Sequence, residues 1–271
     1  MSGWRETLKK ILPPGAVNLL REARDGTARL GDLPQAYGHP WRRETIRRLP
    51  ALKDSQRGKR CFILGNGPSL AKTDLTRLKN EFTIGLNRIY LAFAQMGFET
   101  SYYLSINDLV IEQCAEEIQA LKMPRFVSWR ARRWLQPDEN LYFLYTTYTG
   151  PKFARDLTGR VWEGATVTYV ALQVAFYLGF ETVILIGVDH NFTTQGKPNT
   201  TVVSQGDDPN HFHPGYFGKG FRWQLPDLET SERAYRMARA AYESAGRRVL
   251  DATIGGKLTV FPKMEYESLF E

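Results

Sequence analysis

The sequence predicts an α/β protein with a Rossmann-like, mostly parallel β-sheet and helices on both of its faces. Three observations predict this fold class. From residue 58 onward, short apolar runs alternate with helical patterns; the runs are continuously apolar, as in strands buried on both faces; and several of them end in Asn or Asp. With 271 residues, 42% of them hydrophobic, the chain can bury a substantial core.

The predicted elements follow from these patterns in chain order. Strands are predicted at 60–65, 82–87, 101–106, 125–129, 141–145, 182–188 and 247–252, and helices at 73–79, 88–96, 108–121, 166–178 and 228–245. The helix at 166–178 has Thr166 as its N-cap and ends at Gly179, and the last helix follows Pro226-Asp227 and ends at Gly246. No internal repeat interrupts the alternation.

Charge divides the chain into a basic N-terminal extension, 1–57, and a nucleotide-binding catalytic domain, 58–271. Residues 1–60 hold 14 Lys and Arg against 6 Asp and Glu, whereas residues 61–271 hold 22 against 23. A nucleic-acid-binding domain needs a basic face of its own, so no nucleic-acid partner is expected. Two short helical pieces are predicted in the extension, near 4–11 and 42–52.

The first of these pieces suits contact with a membrane surface. It carries Trp4, Leu8, Ile11 and Leu12 beside basic residues, so it could form an amphipathic helix that rests on anionic lipid. An arm packed on its own domain is the simpler alternative.

No apolar stretch is long enough to span a membrane, no signal peptide is visible, and Cys61 and Cys114 are expected to be buried thiols. We therefore expect a cytoplasmic protein. If the N-terminal arm binds lipid, we expect the protein at the inner face of the membrane. The sequence does not predict an oligomeric state.

The first predicted strand runs into a glycine-lined turn, Gly65-Asn66-Gly67-Pro68-Ser69. Without a Cβ atom, such a turn lets backbone N–H groups approach a phosphate closely. The turn is neither a Walker A loop nor a G-x-G-x-x-G fingerprint, because the Lys-Ser/Thr pair and the third glycine are missing. An ordinary strand-to-helix connection remains the alternative.

Four predicted strands end in a polar residue, namely Asn66, Asn87, Asn107 with the adjacent Asp108, and Asp189. Carboxyl ends of parallel strands lie at one edge of a sheet, where α/β proteins bind their ligands. Amide side chains can recognise a base, a ribose or a phosphate without burying a charge. We expect ligand contact from the three asparagines and first a structural role from Asp189, with hydroxyl or metal binding as its alternatives.

Residues 190–226 contain few apolar residues and three of the four histidines, so we expect a long lid loop over the site. A mobile surface insertion is the alternative. His211 and His213 are the candidate general bases, because an ordinary histidine titrates near neutral pH. Their H-x-H spacing could also belong to a metal site, but no third ligand lies nearby in the sequence.

The order of these motifs resembles a known group of enzymes. Leu64-Gly65-Asn66-Gly67-Pro68-Ser69-Leu70, Gly85-Leu86-Asn87, Ser105-Ile106-Asn107 and the unit from Thr166 to Asp189 are similar to the bacterial lipooligosaccharide sialyltransferases, glycosyltransferase family 42. The same pattern occurs in a broader family that includes the motility-associated factors and the archaeal 6-hydroxymethylpterin diphosphokinase. This chain resembles the broader family more closely, over about residues 58–260.

The resemblance implies a cytidine nucleotide site and metal-independent transfer. It assigns donor contacts to the following residues: Gly65, Asn66, Gly67, Ser69, Asn87, Asn107, Thr166 and Thr168. It also implies a loop histidine as base, either His211 or His213, and tyrosines at the departing phosphate, of which Tyr216 is the candidate. The chain departs from the pattern at His190-Asn191, where tyrosine is expected, and at Glu163-Gly164, where arginine is expected. These departures bear on sialic acid specificity more than on the nucleotide site.

Three functions are compatible with these observations. The first is an inverting glycosyltransferase that moves a sugar, expected to be a CMP-activated acidic sugar, to a glycan or surface-polymer acceptor, without a cofactor. The second is a Mg-ATP-dependent diphosphokinase acting on a pterin, for which Asp108 and Asp189 could hold Mg²⁺. The third is a nucleotide-binding protein without catalysis, which the loop histidines disfavour. We expect the glycosyltransferase.

Overall fold

A computed structural model describes residues 30–148, 150–193 and 196–271, together with the isolated positions 16, 23, 26 and 27. Its centre is an eight-stranded sheet in which every neighbouring pair is parallel, in the order β10-β7-β1-β2-β3-β4-β5-β6. The strands are β1 Arg60–Leu64, β2 Phe82–Leu86, β3 Tyr102–Ser105, β4 Arg125–Ser128, β5 Leu141–Thr147, β6 Arg160–Trp162, β7 Thr182–Ile186 and β10 Arg248–Asp251. The short strands β8 Thr201–Val203 and β9 Arg222–Gln224 form a separate antiparallel pair.

The described α-helices are mostly short. They are α1 Leu33–Gly38, α2 Pro40–Arg48, α3 Phe93–Met96, α4 Asp108–Gln113, α5 Ala115–Ala120, α6 Val167–Leu178 and α7 Leu228–Glu243. Segments of 3₁₀-helix occur at Leu49–Leu52, Pro68–Lys72, Leu75–Leu78, Ile89–Ala92, Trp129–Arg133 and Glu267–Leu269. In the described part of the chain, no helix is both long enough and apolar enough to cross a bilayer.

The sheet is buried on both faces, which confirms the predicted fold class. Cys61 and Ile63 of β1 point into a core that contains most of α6, whereas Phe62 and Leu64 point into a second core on the opposite face. This alternation explains why the strands are continuous apolar runs in the sequence. Helix α6 is the most deeply buried of the helices because it packs directly against the central strands.

The strand order reverses at β1, and this reversal locates the ligand crevice. From β1 the chain builds the sheet outward through β2 to β6, and then returns to place β7 on the other side of β1. The loops that follow β1 and β7 therefore diverge from neighbouring strand ends. Open α/β sheets bind their ligands outside the carboxyl ends of the strands at such a reversal.

All seven predicted strands are present, but several helices differ from their predictions. The predicted helix at 108–121 is wrong as a single element, because Cys114 leaves the helical region and divides it into α4 and α5. The segment predicted as a helix at 73–79 is a 3₁₀ turn, and the one predicted at 88–96 begins as a 3₁₀ turn and continues as the short helix α3. Strands β6, β8 and β9 were not predicted, since three residues are too few to give a pattern.

Part of the predicted N-terminal extension packs on the sheet. In α2, Thr45 Oγ1 accepts a hydrogen bond from the Phe143 backbone in β5 at 3.2 Å, and the buried Arg42 donates to the carbonyls of 157–159. The helix predicted near 42–52 corresponds to α2 and the turn that follows it. The piece predicted near 4–11, and with it the membrane contact, lies outside the described residues.

Candidate active site

Two adjoining cavities lie at the carboxyl edge of the sheet. The first, of about 180 Å³, has the loops after β1 and β7 as its floor, and we call it the inner lobe. The second, of about 590 Å³, extends toward α4 and β9, and we call it the outer lobe. The two lobes share wall residues: Asn87, Ala165, Thr166, Val167, Phe192, His211, Pro226 and Asp227. We refer to residues 190–226 as the cover segment, because they form the outer wall of both lobes.

Glycines let the two floor loops cross closely. A Cβ atom on Gly65 would overlap the Gly187 carbonyl, and one on Gly67 would overlap the Asp189 carboxylate. Gly187 itself has a φ of +66°, a conformation that favours glycine. The glycine-lined turn is thus needed for the packing of one loop on the other, whether or not a phosphate binds there.

Asp189 connects the two floor loops through hydrogen bonds. Its carboxylate accepts hydrogen bonds from the Ser69 hydroxyl at 2.7 Å and from the Ser69 backbone at 3.1 Å, and its carbonyl accepts one from the Lys257 backbone. Ser69 and Asp189 therefore satisfy each other and tie the β1 loop to the β7 loop. The arrangement gives Asp189 a structural role.

Asn66 offers an open acceptor to the inner lobe. The side chain is buried and its Nδ2 donates to the Leu86 carbonyl at 2.9 Å, but its buried Oδ1 has no hydrogen-bond partner among the described residues. A buried polar atom without a partner costs free energy unless a ligand or water satisfies it. Asn66 Oδ1 is therefore placed to accept a hydrogen bond from a bound ligand.

The other strand-end asparagines are partly used by the protein. Asn87 has a φ of +48° and its Oδ1 accepts a hydrogen bond from the Ser105 hydroxyl at 3.0 Å. Asn107 caps α4, with its Oδ1 accepting from the Leu109 backbone at 2.9 Å, and it lines only the outer lobe. The structure therefore places Asn66 and Asn87 at the inner lobe and separates Asn107 from it.

The N-terminus of α6 points its backbone dipoles toward the cavities. Residues 165–167 line both lobes and Thr168 lines the inner one. Thr166 caps the helix by accepting from the Thr168 backbone at 3.3 Å, and its hydroxyl shares a hydrogen bond with Tyr235. The positive end of this helix favours an anion in the inner lobe.

His211 is the histidine that the structure equips for proton transfer. Its Nδ1 lies 2.7 Å from a carboxylate oxygen of the buried Asp208, and its ring stacks on Tyr216 at 4.0 Å between ring centroids. Its Nε2 has no hydrogen-bond partner among the described residues. A carboxylate behind one nitrogen fixes the ring and stabilises the imidazolium, which leaves the other nitrogen to take a proton.

Tyr216, on which the His211 ring stacks, is itself held in place by Arg88. Tyr216 is fully buried, its hydroxyl accepts from the Arg88 backbone at 3.4 Å, and its carbonyl accepts from the Arg88 guanidinium. Burial raises the pKa of Tyr216, so the phenol stays protonated at neutral pH. By contrast, His213 is exposed, its Nδ1 accepts from the Gly215 backbone, and it lines neither lobe.

Sequence reasoning missed Asp208, described above, and two further residues of the site. His190 lines the inner lobe with its Nε2 3.2 Å from Glu232 Oε1, and it has a φ of +51°. Arg130 lines the outer lobe, where its guanidinium contacts both Asp108 and Glu163 at 2.9 Å. Burial alone would lower the pKa of Arg130, but the attraction of the two carboxylates outweighs it and raises that pKa. In the sequence, His190 stands out because the family pattern has tyrosine after Asp189. Nothing in the sequence pointed to Arg130.

Four carboxylates around the cleft have protein partners on at least one oxygen. Within the described residues, no three His, Cys, Asp or Glu side chains form a group that could hold a metal ion. Asp108 and Glu163 pair with Arg130, Asp189 pairs with Ser69, and Asp208 pairs with His211. His213 and His211 are therefore not part of one candidate metal site in the described chain.

Comparison with known proteins gives two findings. A family model described as 6-hydroxymethylpterin diphosphokinase MptE-like matches residues 42–195, so the match begins inside the predicted N-terminal extension and covers more than half of the chain. Among solved structures, the chain is similar to the MAf glycosyltransferase from Magnetospirillum magneticum AMB-1, with 16% sequence identity and a TM-score of 0.48. That similarity covers 84% of this chain but 39% of the glycosyltransferase chain. No curated protein matches the sequence.

Proposed function

The chain belongs to the MptE-like family, and we propose that it is a transferase that uses a nucleotide-activated donor. In particular, we propose an inverting glycosyltransferase that moves a sugar from a CMP-activated donor to a hydroxyl group of a glycan or surface polymer. The donor would occupy the inner lobe and the acceptor the outer lobe. A membrane-bound acceptor would bring residues 1–57 to the lipid surface.

One observation carries this proposal: His211, with Asp208 behind its ring, lies on the wall that the two lobes share. In this position, His211 Nε2 would take the proton from an acceptor hydroxyl as its oxygen forms the bond to the anomeric carbon. The bond from that carbon to the phosphate oxygen breaks, and the nucleoside monophosphate leaves. Attack from the acceptor side, opposite the phosphate, inverts the anomeric centre. Asp208 would stabilise the imidazolium.

The inner lobe can balance little negative charge, which favours a donor with a single phosphate over a nucleoside triphosphate. Of the described residues that line it, none is a lysine or an arginine, and Asp189 and Asp227 are acidic. The N-terminus of α6 supplies the positive end of a helix dipole, which can balance part of one phosphate charge. The phosphodiester of a CMP-activated sugar carries one charge, and an acidic sugar adds one carboxylate, whereas a nucleoside triphosphate has about four charges and needs counter-ions. Asn66 Oδ1 and Asn87 are then available to the base and ribose.

The description of the matching family model favours a second candidate, a 6-hydroxymethylpterin diphosphokinase. Transfer of a diphosphate from ATP requires Mg²⁺ held by free carboxylates near the phosphates. Asp108 and Asp189, the residues that could hold it, are engaged by Arg130 and Ser69. This pairing is why we place the diphosphokinase second.

A thermal-shift screen separates the two candidates. The protein would be heated with CMP, CDP, UDP, GDP, AMP or ATP, each with and without Mg²⁺. A ligand at 100 times its Kd adds about 2.7 kcal/mol to the free energy of unfolding and raises the Tm by several degrees. Stabilisation by CMP without Mg²⁺ supports the glycosyltransferase, and stabilisation by ATP only with Mg²⁺ supports the diphosphokinase.

A matched pair of variants ties the shift to the inner lobe. Asn66→Ala removes the unpartnered acceptor and should abolish most of the nucleotide-induced shift. Asn80→Ala, at an exposed turn before β2, should leave the shift unchanged. A full shift in Asn66→Ala would show that the nucleotide binds elsewhere.

A further inference from the structure

The outer lobe carries an excess of negative charge. The charged residues that line it, within the described chain, are Asp108, Glu163, Asp227 and Arg130. Three carboxylates and one guanidinium give a formal charge of −2 when His211 is neutral. An acceptor that carries its own carboxylate or phosphate would enter this lobe against a repulsive field.

The positive charge of Arg130 is not available to attract an anionic ligand, because its guanidinium already forms ion pairs within the protein. Its Nε contacts both oxygens of Asp108 at 2.9 Å, and its Nη2 donates to Glu163 at 2.9 Å. Its remaining contacts are to Thr146 and to the Ile106 carbonyl at 3.4 Å. Binding of an anionic ligand to this guanidinium would require breaking a partly buried ion pair, which is costly.

Acceptor capacity remains on the carboxylates. Glu163 Oε1 accepts from Arg130, but Glu163 Oε2 has no hydrogen-bond partner among the described residues. Asp227 caps α7 through Oδ1, and its Oδ2 accepts only a long bond of 3.3 Å from Tyr148. These free lone pairs suit a ligand that brings N–H or O–H donors.

Aromatic rings complete the lobe. Phe217 and Trp223 line it but are buried and stack on each other at 5.5 Å, so Tyr148, which is 43% exposed, is the ring that a ligand can reach. Aromatic faces bind the C–H surface of a sugar ring and attract cations. A site with an accessible aromatic ring and free carboxylate oxygens is suited to a sugar that carries an ammonium group.

We propose that the acceptor seated in the outer lobe is an amine-bearing sugar, with Glu163 and Asp227 as the residues that select its positive charge. The inference rests on the proposed function, because it assigns the outer lobe to the acceptor. It narrows the substrate class: an acceptor with a carboxylate or phosphate beside the reacting hydroxyl is expected to bind less tightly than a neutral or amine-bearing one.

The test uses three monosaccharide probes of similar shape and different charge. Binding of glucosamine, glucose and glucuronate to the full chain would be followed by ligand-observed NMR, with CMP titrated in the same samples. We expect glucosamine to bind about five- to tenfold more tightly than glucose at low salt, glucuronate to bind least, and the preference to shrink in 0.5 M salt.

Two variants locate the selectivity, and one serves as control. Asp227→Asn keeps an N-cap side chain for α7, and Glu163→Gln leaves Arg130 paired with Asp108, so both should fold and both should lose most of the preference for glucosamine. Glu181→Gln, exposed before β7 at the opposite edge of the sheet, should keep it.

Each outcome bears on one proposal or the other. Equal response to the three sugars, no response to any of them, or tighter binding of glucuronate overturns the inference. A glucosamine preference that survives in both variants overturns it as well. If the preference is found but no nucleotide binds, the outer-lobe inference stands and the proposed function fails.

Discussion

The floor and the cover segment of the cleft are held by different kinds of contact. In the floor, the Gly65 and Gly67 N–H groups donate to the backbone of 186–187 at 2.8 and 2.9 Å, and added side-chain atoms would overlap. The cover segment is held largely by side chains, and its aromatic residues form a small cluster apart from the two main cores. The comparison teaches that the floor sets the shape of the cleft, whereas the cover segment carries His211, the proposed base.

The largest effect is expected where the cover segment supplies the base. His211→Ala should lower turnover by about 10²- to 10⁴-fold, because it removes the group that accepts the proton. The matched control His213→Ala should keep nearly full turnover, since that residue is exposed and lines neither lobe. Nucleotide binding, measured in parallel by thermal shift, should be nearly unchanged in both. Full turnover in His211→Ala would remove the base from the proposed mechanism.

A comparably large effect on stability is expected in the floor. Gly65→Ala should reduce the free energy of unfolding by about 2–4 kcal/mol, because the new methyl group meets the Gly187 backbone and neither loop can move aside. Gly206→Ala, in the cover segment with open space around its Cβ position, should change it by less than about 1 kcal/mol. Urea unfolding of the two variants measures the difference. Equal values would contradict the distinction between a crowded floor and an open cover.

A smaller effect is expected where the cover segment joins α4. The Gln113 side chain donates to the Arg222 carbonyl at 2.8 Å and accepts from the Arg222 backbone at 2.9 Å, so it pairs with β9 as a neighbouring strand would. Gln113→Ala should ease local opening of β8 and β9 by about 1 kcal/mol while global stability changes less. Hydrogen exchange of the amides at 201–203 and 222–224 measures it. Unchanged exchange at these strands would show that Gln113 does not hold the cover.

The smallest effect is expected for the ion pair beside that contact. Arg222→Ala removes the 2.8 Å salt bridge to Glu112, in which both side chains are well exposed, but keeps the backbone that Gln113 holds. Exposed ion pairs contribute little, so exchange in β8 and β9 should shift by no more than about 0.5 kcal/mol. A larger change here than in Gln113→Ala would reverse the assigned roles.

The sequence predicts the floor better than the cover segment. The strands of the sheet are buried on both faces and therefore appear as apolar runs, as in Val183–Ile186, and their polar ends mark one edge. Those two signals predict the sheet and bring Asn66, Asn87 and Asp189 together before any coordinates are known. Register in the cover segment depends instead on single contacts such as Gln113 with Arg222, which leave no periodic trace.

The sequence also does not predict which side chains of the site contact each other. His211 and Asp208 are three residues apart, but only the loop geometry shows that the carboxylate faces His211 rather than His213. Arg130 comes from a 3₁₀ turn after β4 and meets Glu163 from a different part of the chain. The arginine expected before α6 by resemblance is absent from that position, and Arg130, which lines the outer lobe, is paired with Asp108 and Glu163.

The crossing of Gly65 and Gly187 has a consequence for enzyme engineering. Since these backbones touch, the floor cannot be widened to admit a larger donor without rebuilding two strand ends at once. Exposed residues of the outer lobe, by contrast, lie outside the floor loops, as at Tyr148 and Gln224. Libraries aimed at new ligands of that lobe should therefore randomise positions such as 148, 224 and 227 and keep the glycines fixed.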